Sequence, residues 1–280
     1  MLTRASRRTI SFGLQTVLGL RRKGFFIPMR NAETAAAWAH RPYESLMPLF
    51  RAAEGAMEAN LSAIETYRAD LSRLKGPPPQ PRFDQSWFPR LDAAALYVLV
   101  RQLAPGRIVE VGSGHSTRFM ARAMKDGDLD TLLTAIDPEP RADLTGLPLK
   151  LIRSPLQDAG LAPFERLAPG DLLVVDSSHV MMPGTDVDII LNHVIPSLPR
   201  RVHVLFHDIF LPFAYPAEWP FTIYNEQNGV AALLTGGRAE IQFSSAWLVN
   251  QMADVLEQTW IGRQPLRLGA RESALILRLN

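Results

Sequence analysis

Four acids and two histidines stand where short apolar runs of this sequence end. Glu110 lies within Arg107-Ile-Val-Glu-Val, Asp137 follows Thr134-Ala-Ile, and Asp176 follows Leu172-Leu-Val-Val and opens Asp176-Ser-Ser-His179. His207-Asp208 closes Val204-Leu-Phe. Carboxylates grip hydroxyls, ammonium groups or cations, and an imidazole exchanges protons near neutral pH. Asp176, His179, His207 and Asp208 are therefore enough to hold a divalent cation through oxygen and still supply a base. Without a metal, the acids would orient the histidines instead. Each residue alone has a plainer reading, as a loop-opening cap or a scaffold histidine. Neighbouring strand ends that all carry such groups favour a functional cleft.

The elements that must position them can be read from the same runs. After Glu110, Gly112-Ser113-Gly114 allows a tight turn and close approach to a ligand, and Ser116 or Thr117 can cap the helix that follows. Strand, glycine turn and helix start together make a nucleotide-type cradle. Strands are expected at 107–111, 132–136, 149–153, 171–176, 202–207, 239–247 and 272–279, with helices after most of the early ones. This alternation predicts an α/β, doubly wound, largely parallel sheet with helices on both faces. Ligands of such sheets sit beyond the carboxyl ends of the strands, where the acids and histidines fall. Asp158, shortly after the third strand, is a further candidate. Asn225 is placed to cap a helix opening at Asn225-Glu226-Gln227.

Two aromatic stretches flank these residues. Phe83, Trp87 and Phe88 precede a helix expected over Leu91–Leu103, and either cover the ligand or staple that helix. Residues 209–221, rich in proline and aromatics, read as a structured lid or substrate wall, or else as a plug under the sheet edge.

Upstream lies a different kind of sequence. Residues 1–30 hold seven Arg or Lys and no acid, so the formal charge of +2 leaves residues 31–280 at −5 (2 − 7). A general nucleic-acid-binding surface is not indicated by that mildly acidic body. Ile10, Leu14, Val17 and Leu18 recur at helical spacing in the basic head, which permits a membrane-surface helix, a transit peptide, or a helix docked on its own body or a partner. Docking is the simplest of the three. Residues 43–75 read as one long helix with Met57, Leu61, Ile64, Leu71 and Leu74 on a stripe, packed on the core or paired with its copy in a homodimer. Gly76-Pro-Pro-Pro-Gln-Pro81 then makes a stiff linker, giving expected divisions at 1–30, 31–81 and 82–280. The absence of cysteine is compatible with a reducing compartment, and cytoplasm is the default location, with membrane association through residues 1–30 left open.

The motifs Glu110-Val-Gly-Ser-Gly-His-Ser-Thr117, Asp137, Asp176-Ser-Ser-His179 and His207-Asp208-Ile-Phe-Leu-Pro212 with Tyr215-Pro216 resemble the class I S-adenosylmethionine-dependent methyltransferases of the "methyltransferase domain 24" type. The likeness covers roughly residues 83–280. It implies a Rossmann-like seven-stranded sheet whose last strand is antiparallel, matching the closing 273–279 run. It also implies S-adenosylmethionine as cofactor. Glu110, Gly112, Ser113, Gly114 and Ser116 would hold its methionine and ribose side, Asp137 the ribose hydroxyls and Asp158 the adenine amine, with Asp176 beside them. Similar O-methyltransferases hold a divalent cation such as Mg through acids after the fourth and fifth strands, here Asp176 and Asp208. This sequence places His207 where metal-dependent relatives often show a further acid or amide, so His179 or His207 as metal-free base is the alternative. The expected reaction is methylation of a hydroxyl on a small-molecule acceptor.

Three rivals share parts of the pattern. A nicotinamide-dependent oxidoreductase would want a third glycine where Thr117 stands. A metal-dependent hydrolase on the Asp/His set leaves Glu110 and Asp137 without a role. A non-catalytic cofactor-binding module is the third.

Overall fold

The apolar runs pair as strands around β1 (Arg107–Val111), which lies between β2 (Leu132–Ile136) and β4 (Leu172–Val175), parallel to both. Beyond them, β3 (Lys150–Ile152) extends one edge, and β5 (His203–Phe206) follows β4 in parallel. β7 (Leu275–Leu279) runs antiparallel between β5 and β6 (Ala239–Ser244). The seven-stranded order is β3-β2-β1-β4-β5-β7-β6, with helices flanking it. A computed structural model of the chain describes residues 4–35, 38–219 and 224–280.

β4 is buried along its whole length, as expected of a central parallel strand whose Leu-Leu-Val-Val run presents apolar groups to both faces. The helix Arg90–Leu103 packs against the helix His115–Asp126, with residues 91–100 buried. Because β1, β2, β4 and β5 are parallel and in register, their carboxyl ends lie along one edge. That edge carries the polar residues singled out above.

Three elements differ from expectation, the first being β7, which begins at Leu275 instead of residue 272 because the Ser273 and Ala274 amides donate to Asp92. β6 stops at Ser244 instead of running to residue 247, because the Ser244 hydroxyl accepts a hydrogen bond from Trp247 N at 3.2 Å and caps a helix at Ser245–Gln251. The single helix expected over 43–75 is broken into Met47–Ala52, Glu54–Thr66 and Arg68–Leu71. Its stripe, weighed as a dimer surface, is buried within the chain: Met57, Leu61, Ile64, Leu71 and Leu74 all join the main core. Asn60 and Glu54 reach the β6 region through Gln242 O and Trp247 Nε1.

By compactness the chain divides into residues 1–41 and 42–280, with the proline-rich 76–81 segment inside the second unit. The first unit contains a helix at Arg4–Val17 and a short one at Ala32–Ala35. Among the described residues no helix is long and apolar enough to cross a membrane.

Candidate active site

The glycine turn after β1 is wedged between its neighbours. Gly112 sits at φ +79°, and a β-carbon there would overlap the Asp176 carbonyl oxygen. Gly112 N donates to Ile136 O at 3.0 Å, and Asp176 N to Val111 O at 2.9 Å, so the turn is fixed to the ends of both β2 and β4. Gly114 is different: a β-carbon there would meet nothing within 4 Å. No neighbouring side chain or backbone atom fills the space at this position, whereas a ligand lying on the turn would.

Glu110 lies beneath the turn, fully buried. Its carboxylate accepts hydrogen bonds from Ser116 Oγ at 2.5 Å and Thr117 Oγ1 at 2.6 Å, while Thr117 Oγ1 accepts one from Gly114 N at 2.9 Å. Burial pushes the Glu110 carboxyl up to about 8, against the lowering effect of those two hydroxyls. Glu110 and Ser116 thus fasten the turn to the following helix from below and do not line the cleft above it.

That cleft has a volume of about 340 Å³ and is lined by Gly112, Ser113, Asp137, Leu156, Gln157 and Asp176, among others. Asp137 holds the turn through Ser113, whose N and Oγ donate to Oδ2 at 2.6 and 3.0 Å. Asp158 is exposed and stays outside the lining, because its short helix (Leu156–Ala159) turns Leu156 and Gln157 to the cleft instead.

A second cleft of about 280 Å³ opens beside the first and shares Arg141 and Asp176 with it. Trp87, Trp219 and Tyr224 form its aromatic walls, and Asp176, His179, His207 and Asp208 its polar floor. Phe88, by contrast, is buried against the His207 ring, and the partly buried Phe83 packs on Phe119, so the 83–88 segment serves as both cover and staple. The 209–221 stretch also divides: Ile209, Phe210 and Leu211 are buried as a plug, and Trp219 faces the cleft. Residues 220 and 221 lie outside the described residues.

The two histidines of the floor are each anchored from behind by a fully buried carboxylate. His179 Nδ1 bonds Glu226 Oε2 at 2.8 Å, leaving Nε2 3.5 Å from both Asp176 Oδ1 and Asp208 Oδ2. His207 Nε2 bonds Asp92 Oδ2 at 3.1 Å, leaving Nδ1 3.5 Å from Asp176 and 3.6 Å from Asp208. His207 Nδ1 is buried and has no hydrogen-bond partner. Asp92 is held in turn by Ser245 Oγ and by the Ser273 and Ala274 amides. His179 and Asp208 both take left-handed backbone conformations, at φ +59° and +57°, a strain that persists where surrounding contacts over-determine it.

Charge sets the protonation of this floor. Burial alone would disfavour imidazolium, but hydrogen bonds to Asp176 and Glu226 raise the His179 pKa well above its ordinary value. For His207, likewise, burial is outweighed by the Asp208 and Asp176 charges. Burial would raise Asp176, yet the His207 and His179 imidazoles hold its carboxyl well below the usual carboxylate range. Ligand atoms of Asp176, His179 and Asp208 lie within 4.8 Å of one another, a donor set that fits a divalent cation.

Several of these residues escaped the sequence reading. Asp92 carried one usable signal, a lone acid within the apolar Leu91-Asp-Ala-Ala-Ala-Leu96 run of a buried helix. Asn225, expected to cap a helix, instead accepts a hydrogen bond from Met181 N at 2.6 Å and pins the loop after His179. Arg141 and Gln157 offered no signal by type or spacing.

Comparison with known proteins adds a domain match. Residues 109–209 match the model of a methyltransferase domain. No curated protein matches the chain. Among solved structures, the S-adenosylhomocysteine-bound methyltransferase PaMTH1 of Podospora anserina is similar at 16% identity, over 92% of this chain and 99% of that one, with a TM-score of 0.43. The O-methyltransferase TomG of Streptomyces achromogenes is similar at 17% identity over 79% and 88%, with a TM-score of 0.42. An O-methyltransferase from Bacillus cereus is similar at 11% over 79% and 91%, also with a TM-score of 0.42. The match runs from within β1 to Ile209, the span that supplies the glycine turn and both aspartates of the floor, and marks this part of the chain as similar to a methyltransferase domain.

Proposed function

We propose that the protein methylates a hydroxyl of a small, flat acceptor, with His207 as the base. What carries this reading is the buried, unpartnered His207 Nδ1, which faces Asp176 and Asp208 in the cleft next to the glycine turn. In the first cleft, Gly112 and Ser113 would carry the cofactor and Asp137 would meet its ribose hydroxyls, while Gly114 leaves room for close approach. Glu110 and Ser116 contribute by holding the turn, and Gln157 takes the wall position first expected of Asp158.

The acceptor lies in the cleft walled by Trp87, Trp219 and Tyr224, aromatic surfaces that suit an aromatic ring. Its hydroxyl reaches the polar floor beside Asp176, which with Arg141 is common to both clefts, in line with the departing methyl group. As the oxygen–methyl bond forms and the sulfur–methyl bond breaks, the hydroxyl proton passes to His207 Nδ1 and the sulfonium becomes a neutral thioether. Asp92 keeps the His207 proton on Nε2, so that Nδ1 presents its lone pair. A divalent cation such as Mg fits Asp176, His179 and Asp208; when bound it would lower the pKa of the acceptor hydroxyl and offset the charges that keep His207 protonated.

The test is methyl transfer from S-adenosylmethionine to a panel of phenols and matched amines. Turnover of phenols is expected, with His207→Gln reducing kcat roughly 100-fold or more while S-adenosylhomocysteine affinity is retained. Transfer to amines alone, or full turnover by His207→Gln, would overturn the reading.

A further inference from the structure

The basic segment plays no part in either cleft, and its own chemistry points elsewhere. Seven Arg or Lys and no Asp or Glu occur in residues 1–30. In the helix Arg4–Val17, Ile10, Leu14 and Val17 follow at intervals of four and three and so share one face. They are 48%, 56% and 58% exposed. Arg8 lies on the other side of the helix with its guanidinium 5.1 Å from the centre of the Phe12 ring. Lys23 N donates to Thr16 Oγ1 at 3.0 Å, which folds the chain back so that the Lys23 ammonium also lies over Phe12, at 5.8 Å. Directly after Arg21, Arg22 and Lys23 come Phe25, Phe26 and Ile27, all exposed.

Cationic and large apolar groups are thus both turned outward within one short unit. Nucleic acid would satisfy the arginines and leave the apolar face in water. A plain apolar protein groove would cover that face and leave the cations without acids. A bilayer surface bearing anionic lipid takes both at once: apolar side chains enter the acyl boundary while Arg and Lys snorkel to the phosphates.

We propose that residues 4–41 dock this enzyme on anionic membrane surfaces as a peripheral, non-spanning anchor. Its occupant is the bilayer itself, and the proposal stands independently of the acceptor chemistry above.

The full chain would be incubated with phosphatidylcholine vesicles, with and without phosphatidylglycerol, and bound protein measured by co-sedimentation. Binding is expected only with phosphatidylglycerol and should weaken as salt is raised. Two variants separate the contributions, a charge reversal (Arg21→Glu/Arg22→Glu/Lys23→Glu) and an apolar disruption (Leu14→Glu/Phe26→Glu). Each should weaken vesicle affinity roughly tenfold or more, with S-adenosylhomocysteine affinity unchanged as the check that the catalytic unit is intact. No binding to phosphatidylglycerol vesicles, equal binding to both vesicle types, or undiminished binding by both variants would overturn it.

Discussion

Gly112 is pressed so closely against the carbonyl of Asp176 that no side chain fits between the turn after β1 and the end of β4. Gly114, two residues on, faces open space. The two glycines should therefore respond differently to the same change. Gly112→Ala combines a left-handed φ with backbone overlap and should cost ~3 kcal/mol or more, visible as a lowered Tm. Gly114→Ala should leave Tm nearly unchanged and weaken S-adenosylhomocysteine binding, measured by calorimetry. Equal effects of the two on stability would contradict this division.

Glu110 couples pH to stability. Its pKa is raised from 4.5 to about 8, so the folded state holds the proton more tightly than the unfolded chain. The stabilisation is fully present below 4.5, is lost as pH rises through 8, and amounts to roughly 4–5 kcal/mol at most. Glu110→Gln removes the titration while keeping a hydrogen-bonding neutral group in place. Denaturation midpoints of the two proteins should diverge between pH 4.5 and 8, the variant being favoured at the alkaline end. Parallel curves would refute the assignment.

His207 predicts a pH profile. Asp208 and Asp176 raise its pKa, so in the absence of a divalent cation kcat/KM should climb as pH rises above neutrality, where the imidazole loses its proton. Removing one of those charges with Asp208→Asn should move the rising limb to lower pH. Asp92→Asn should leave KM for the acceptor similar and cut kcat by roughly 100-fold or more, since the ring is no longer held in the right tautomer. A profile unmoved by Asp208→Asn would count against His207 as the base.

Cation binding can be measured without turnover. Titration of Mg or Mn into the protein should give a saturable site that disappears in Asp176→Asn and Asp208→Asn, and chelator should lower activity. Full activity in chelator would instead favour the metal-free base.

Trp87 tests the acceptor cleft. It is 60% exposed and lines that cleft with the Arg141 guanidinium 4.8 Å above its ring. Trp87→Ala should raise KM for a phenolic acceptor by roughly tenfold and leave S-adenosylhomocysteine affinity intact. Loss of cofactor affinity would move Trp87 to the other cleft.

The strand-end acids and histidines were legible because short apolar runs with period-free burial mark parallel strands, and topology fixes what lies beyond their ends. Hence β1, β2 and the four floor residues could be placed from sequence. What supports the floor from behind was not legible: Asp92 and Glu226 come from helices 115 and 47 positions away from the histidines they hold. Local spacing carries no trace of such contacts. Asp158 was placed by its distance from β3, but the choice between it and Gln157 rests on the rotation of a four-residue helix. Glu110 is legible as an acid beside the turn, expected to hold the cofactor, while its capture by Ser116 and Thr117 depends on how the turn packs.

The most direct test is a crystal structure with S-adenosylhomocysteine and a phenolic acceptor. The sulfur is expected above the Gly112–Ser113 turn, its free side facing the second cleft across Asp176, with the acceptor hydroxyl within hydrogen-bond reach of His207 Nδ1. A sulfur turned away from Asp176, or an acceptor hydroxyl out of reach of His207, would contradict it.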